Sequence, residues 1–119
     1  MSLYGYTDEQ WNRAKEEMRH ALIPRATADD TMSYSELTTK IHAINFAPDD
    51  HALHHMLGEI SEEEDAGGRG MLSVIVVHKE GDKMPGPGFF VLAKKLGRDT
   101  SDRVRCWSDE LTKVYANSK

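Results

Sequence analysis

The side chains best suited to metal chemistry are two histidines and a glutamate. His51, His55 and Glu59 are four residues apart, so an α-helix would place them on one face. On a wheel of 100° per residue, this face lies opposite the apolar residues of the segment, Leu53, Met56, Leu57 and Ile60. An exposed imidazole lacks the partners that orient a metal ligand. We therefore expect a solvated polar face and no metal site.

Nucleophile chemistry has two candidates, Cys106 and Ser73. Cys106 follows Arg105, and a neighbouring positive charge lowers the pKa of a thiol. No catalytic signature surrounds it, and a lone cysteine is more often a small packed hydrophobic residue. Ser73 lies in an apolar run without the G-x-S-x-G elbow of hydrolases. We expect both residues to be structural.

The segment Gly67–Phe90 combines glycines, prolines and basic side chains. Arg69 lies in a glycine-rich loop, His78 closes an apolar run, and Lys79 and Lys83 flank a turn. Glycines permit close backbone approach, and the N–H groups at the start of a helix can bind an anion. The segment contains neither a Walker motif nor G-x-G-x-x-G, so we expect no cofactor. The alternative is that the glycines and prolines of this segment only shape a tight crossover, and this alternative stays open.

Two capping boxes mark the first two helices. Thr7 and Gln10 open a helix, and Pro24 is predicted to end it, because the residue before a proline avoids the α region. Ser33 and Glu36 open a second, short helix. Trp11, Ala14, Met18 and Leu22 form the apolar stripe of the first helix.

A third helix and a strand follow. The helix is predicted from an N-cap at Asp49 or Asp50 to about Asp65, where glycines interrupt it. Met71–His78 is predicted to be a strand, because Val74–Val77 is a run of β-branched residues that suits a sheet buried on both faces.

The last third of the chain predicts two more helices. Pro85–Gly88 is a rigid loop, Phe89–Leu96 a helix ended by Gly97, and a final helix starts near Ser101. Its expected inward stripe comprises Val104, Trp107, Leu111, Val114 and Tyr115. The predicted fold class is α+β, mainly α, with about five helices and a small β-hairpin or a two- to three-stranded sheet.

Composition restricts the class of protein. The 119 residues are 39% hydrophobic and 29% charged, with one cysteine, which predicts one globular domain over residues 1–119 without an internal disulfide. Neither a membrane span nor a secretory signal is present, so we expect a cytoplasmic protein. Residues 1–65 carry 5 basic and 14 acidic side chains, whereas residues 66–119 carry 10 basic and 6 acidic. Such asymmetry is typical of a protein with one face that tolerates phosphate, or of halves that neutralise each other.

Two runs of sequence resemble a family of small uncharacterised bacterial proteins. They are Gly68–Lys79 (GRGMLSVIVVHK) and Met84–Ala93 (MPGPGFFVLA). Tyr34–Leu37, Leu57–Ser61 and the closing Trp107 helix also fit, so the resemblance covers most of residues 30–117. It is specific for the family and implies no chemistry.

More distantly, the order of elements is similar to the winged-helix domain of alkylguanine-DNA alkyltransferases and alkyltransferase-like proteins. In those domains a Tyr-x-x-Leu/Ile helix, a recognition helix and a Val-Val strand precede a glycine-rich wing. Their Pro-Cys-His-Arg run would fall near Met71–Val74, where this sequence has no cysteine or histidine. The resemblance therefore implies a winged-helix-like architecture and DNA contact without alkyl transfer.

The first functional hypothesis is a non-enzymatic, nucleic-acid-associated module. The candidate contacts to nucleic acid or another anion are Arg69, Lys79, Lys83, Lys94, Lys95 and Arg98. Binding would be weak and salt-sensitive, because the protein is acidic and nonspecific affinity comes mainly from neutralising phosphates.

The alternative is an enzyme or small-ligand-binding protein with a pocket formed by Gly67–Phe90. Arg69 would anchor an anion, and His78 with Glu59 would exchange protons, which requires that the three converge on one cleft. A protein partner that binds the acidic face is a third, plainer hypothesis.

Overall fold

The computed structural model describes residues 4–79 and 84–118 of the chain. Its elements confirm the predicted α+β, mainly α class. In chain order they are α1 (Asp8–Thr27), β1 (Met32–Ser33), α2 (Tyr34–Lys40), α3 (His51–Ala66), a 3-10 turn (Leu72–Ile75), β2 (Val76–Val77), α4 (Pro87–Lys95) and α5 (Arg103–Asn117). Over these described ranges, no helix combines the length and the hydrophobicity needed to cross a bilayer.

Helix α1 begins as predicted but continues past its proline. The N–H of Gln10 donates to Thr7 Oγ1 and the N–H of Thr7 donates to Gln10 Oε1, both at 3.0 Å, which confirms the capping box. The predicted end at Pro24 is wrong, since the helix reaches Thr27. The last turn gains a bond from Arg25 Nη1 to Thr31 O (2.8 Å) and an ion pair between Arg25 and Glu36. These contacts offset the hydrogen bond that the proline cannot donate.

In the described residues the sheet is two-stranded and parallel. Of the predicted strand Met71–His78, only Val76–Val77 forms a strand, and it pairs with Met32–Ser33. Parallel strands need a long crossover rather than a tight turn, and here α2 and α3 provide it. The small sheet is therefore the two-stranded alternative. The expected hairpin tip includes residues 80–83, which lie outside the described part of the chain.

The residues before β2 form a buried 3-10 turn because side chains satisfy their backbone. The N–H of Ser73 donates to Ser61 Oγ (3.0 Å), and Trp107 Nε1 donates to the carbonyl of Val74 (3.1 Å). Val74 and Ile75 are fully buried, so the expectation of an apolar interior run is confirmed, whereas its extended conformation is wrong for these two residues.

Helices α2 and α3 match their predicted starts. The N–H of Glu36 donates to Ser33 Oγ (3.0 Å), although the Glu36 carboxylate pairs with Arg25 instead of closing the capping box. Asp50 is the N-cap of α3, and its carboxylate accepts from the N–H of Ala47 (2.7 Å). The predicted apolar face is buried.

Helices α4 and α5 differ from prediction in their first turns. Helix α4 starts at Pro87 rather than Phe89, because a proline at the first helical position loses no hydrogen bond. In α5 the predicted inward stripe is wrong at Val104, which is 61% exposed. The buried positions of α5 are Cys106, Glu110 and Val114.

Candidate ligand-binding site

A cavity of about 650 Å³ opens between the first turns of α2, α3 and α4. We call it the histidine cleft. Its principal lining groups are Tyr34, His51, His54, His78, Lys79 and Gly86–Gly88. The elements that meet here come from distant parts of the sequence, so the fold alone assembles the cleft.

The parallel strand pair determines the position of Tyr34 and His78. Ser33 pairs with Val77, so the next residue of each strand emerges at the same carboxyl end. The ring centroids of Tyr34 and His78 are 5.1 Å apart. His54, from the first turn of α3, lies on the same phenol ring, with 4.9 Å between the centroids. One tyrosine therefore contacts two imidazoles.

Tyr34 connects the cleft to the start of α4. It is only 7% exposed, and its hydroxyl accepts a hydrogen bond from the N–H of Gly86 (2.9 Å). Burial raises the pKa of the Tyr34 hydroxyl, and the hydrogen bond from Gly86 opposes this shift. The phenol is therefore neutral near pH 7.

His54 is held in one tautomer. Its Nε2 lies 3.2 Å from the carbonyl oxygen of Pro48. Since a carbonyl only accepts, Nε2 carries the proton and Nδ1 is left as an acceptor in the neutral ring. Burial lowers the pKa of His54, and the positive charge of protonated His78 and His51 lowers it further. The Pro48 carbonyl and Asp49 act in the opposite direction.

A second cavity, of about 320 Å³, adjoins the cleft. We call it the apolar chamber. Tyr34, His54 and Gly88 line both cavities. The remaining walls of the chamber are mainly Leu57, Gly58, Phe89 and Leu92, and its rim includes Glu59, Glu62 and Lys95. Lys95 Nζ lies 3.6 Å from Glu62 Oε1.

The three residues of the alternative hypothesis do not share one cavity. His78 lines the histidine cleft, whereas Glu59 lines the apolar chamber. Arg69 lines neither of them and bonds Glu64, with 2.9 Å from Nη2 to Oε2. Glu59 already accepts from Trp11 Nε1 (2.7 Å) and pairs with Lys15 (3.3 Å), so its carboxylate is occupied.

The other candidate cations have diverse environments. Lys79 is exposed in the histidine cleft, and Lys95 stands at the rim of the apolar chamber. Lys94 is exposed on the last turn of α4. Lys83 lies outside the described residues. The face of His51 and His55 is exposed, and no three His, Cys, Asp or Glu side chains in the described ranges could hold a metal ion.

Arg98 lies in an ion cluster between α3 and α5. Its guanidinium bonds the carboxylates of Asp65 (2.5 and 3.1 Å) and Glu110 (2.9 and 3.0 Å). Glu110 is 4% exposed and also accepts from the N–H of Met71 (2.8 Å). The hydrogen bonds from Arg98 hold the pKa of Asp65 below its usual value. Arg98 therefore has two internal partners where the sequence suggested an external anion.

Sequence reasoning missed Tyr34, His54 and Glu110 as residues of these sites. Tyr34 lay within a quoted family motif, but no spacing related it to a histidine. Glu110 had a signal, because it falls between Cys106 and Val114 at steps of four on one helix stripe. Comparison with models of known protein families, with curated proteins and with solved structures finds no match to this chain. The family and winged-helix resemblances stay predictions.

Proposed function

We propose that this protein binds a small organic anion in the histidine cleft. The observation that carries the proposal is the contact of one buried tyrosine with two imidazoles, His54 and His78, in a cavity that also contains Lys79. A concave site with a few convergent polar groups is the usual form of a small-molecule site. The proposal develops the small-ligand alternative for the segment Gly67–Phe90.

The charge of the lining groups favours an anion. Lys79 is cationic, and the imidazoles of His51 and His78 can donate ring N–H groups, whereas the N–H of neutral His54 is directed at the Pro48 carbonyl. Asp49 is the acidic side chain among the lining residues. The start of α4 adds the N–H of Gly88, which has no acceptor within its own helix, and the positive end of the helix dipole.

Binding fits the cleft better than proton-transfer catalysis does. A general base needs a carboxylate or imidazole within hydrogen-bond reach of the substrate proton. The carboxylate assigned to that role, Glu59, lies in the other cavity and is bonded to Trp11 and Lys15. The proton exchange between His78 and Glu59 that the alternative hypothesis required therefore has no shared site, and in this proposal the imidazoles contact the ligand.

The test is titration of the protein with inorganic phosphate at low ionic strength. We expect binding that Lys79→Gln weakens by about tenfold or more, since a charge-assisted hydrogen bond contributes roughly 1.5–3 kcal/mol. Lys94→Gln removes the same charge from an exposed site outside both cavities and serves as the control. The proposal fails if phosphate does not bind at millimolar concentration, or if the two variants weaken binding equally.

A further inference from the structure

We infer that the ligand is an aryl anion, whose anionic group lies in the histidine cleft and whose planar ring lies in the apolar chamber. This inference rests on the proposed function and adds the class of ligand. It starts from the adjacency of the two cavities, which share Tyr34, His54 and Gly88 as lining residues.

The walls of the chamber suit a ring. Leu57, Phe89 and Leu92 are apolar, and the aromatic side chains of Tyr34 and His54 line both cavities. Aromatic rings prefer offset-stacked or edge-to-face contacts with other rings. The chamber volume of about 320 Å³ exceeds the roughly 150 Å³ of an engineered cavity that binds benzene, so a six-membered ring fits.

Two helical glycines line the chamber, although neither the backbone nor the packing requires a glycine there. Gly58 lies in the middle of α3, and a β-carbon on it would make ordinary contact with Leu92 Cδ2 at 3.7 Å. A β-carbon on Gly88 would meet nothing within 4 Å. Neither residue has a positive φ.

Gly58 is costly in its helix. A glycine in a helix interior costs about 1 kcal/mol relative to alanine. Gly88 is the second residue of α4 and leaves open space at the junction of the two cavities. A ring that occupies the space left by both absent side chains explains the two positions.

The charges of the lining residues determine the orientation of the ligand in the two cavities. Glu59 and Glu62 stand at the rim of the chamber and disfavour an anionic group there, although Lys15 and Lys95 partly neutralise them. Lys79 stands in the histidine cleft. The anionic end therefore belongs in the cleft and the uncharged ring in the chamber.

The experiment compares phenyl phosphate, benzoate and inorganic phosphate on the full chain. We expect phenyl phosphate to bind at least about tenfold more tightly than inorganic phosphate, because the ring leaves water for an apolar wall. In ¹⁵N-resolved NMR spectra, phenyl phosphate should shift the amide signals of Gly58 and Leu92, whereas inorganic phosphate should shift only that of Gly88 and its neighbours in the cleft. If benzoate shifts the same chamber signals, the site accepts aryl anions in general, with either a carboxylate or a phosphate group. Chamber shifts with phenyl phosphate alone support an aryl phosphate.

A variant of Gly58, which lines only the chamber, gives an independent readout. Gly58→Ala should weaken phenyl phosphate several-fold and leave inorganic phosphate within about twofold, while the melting temperature rises or stays unchanged. Ser108→Ala, on the exposed face of α5, is the control.

The outcomes separate the two proposals. If inorganic phosphate binds through Lys79 but phenyl phosphate binds no more tightly and leaves Gly58 unshifted, the aryl inference is overturned and the anion cleft stands. If neither compound binds, the proposed function itself has failed.

Discussion

The hydroxyl of Tyr34 accepts the backbone N–H of Gly86 at 2.9 Å and thereby joins the first residue of α2 to the N-cap of α4. The bond spans 52 residues of sequence. The N–H of His78 in turn donates to the carbonyl of Met84 (3.0 Å). Tyr34 therefore fixes the position of Gly86, which forms part of the wall of the histidine cleft.

Tyr34→Phe should loosen this wall. The variant leaves the buried N–H of Gly86 without its partner, which costs about 1–3 kcal/mol of the free energy of unfolding. Urea denaturation measures the loss, and hydrogen exchange at the Gly86 amide should become faster. Tyr4→Phe, at an exposed tyrosine, is the control and should change neither. Unchanged exchange at Gly86 would contradict the role of the hydroxyl.

The Arg98–Glu110 pair should show strong coupling. Arg98→Met leaves Glu110, which is 4% exposed, without its cationic partner, and removal of one partner of a buried ion pair costs about 3–5 kcal/mol. Arg98→Met with Glu110→Gln should recover part of this loss, because the buried charge is removed and the amide still offers an oxygen to the N–H of Met71.

A double-mutant cycle in urea measures that coupling. The expected result is a double variant more stable than Arg98→Met alone. Additive losses would show that the two side chains act independently. Arg13 and Glu9, an exposed pair four residues apart on α1, provide a comparison cycle with little or no coupling.

The stability of the protein should fall as the solution becomes mildly acidic. Burial lowers the pKa of His54 in the folded state, so below the ordinary value of about 6.5 the unfolded chain binds a proton that the folded chain resists. The free energy of unfolding should therefore decrease as the pH falls from 7.5 to 5.5. His54→Gln retains a donor for the Pro48 carbonyl and should flatten this dependence. An NMR titration that places the pKa of His54 above 6.5 would reverse the argument.

Cys106 should react slowly with thiol reagents. Burial raises the pKa of its thiol, and the nearby charge of Glu110 acts in the same direction, while Arg98 opposes them. Since the thiolate is the reactive form, modification in native buffer should be at least about tenfold slower than in urea. Equal rates in both solvents would mean that the side chain is accessible to the reagent in the folded protein.

The nucleic-acid hypothesis can be tested separately. The structure pairs Arg98 with two carboxylates, and α3 carries Glu62, Glu63 and Glu64 near its end, so we expect no duplex DNA binding at micromolar protein in 150 mM salt. A gel shift at low salt examines the weaker binding that the sequence suggested. A low-salt shift that the combined Lys79→Gln and Lys95→Gln variant abolishes and the Lys94→Gln variant retains would favour that hypothesis over a small ligand.

The amino-acid sequence by itself determined the local elements. The capping groups of Thr7 and Ser33 mark the starts of α1 and α2, and the apolar stripe from Trp11 to Leu22 is buried as its spacing requires. These features depend on residues three or four positions apart, so local hydrogen bonds and helical periodicity are enough to predict them.

Tertiary structure alone decided where the chain departs from local preference and which side chains meet. The run Val74–Val77 has strand propensity throughout, yet its partner strand is two residues long. Trp107 bonds the carbonyl of Val74, and Ser61 bonds the N–H of Ser73 just before the run. The cleft required the register between β1 and β2, which brings Tyr34 beside His78 across the crossover. Such contacts depend on the packing free energy of the whole chain, so they cannot be predicted from a short segment of sequence.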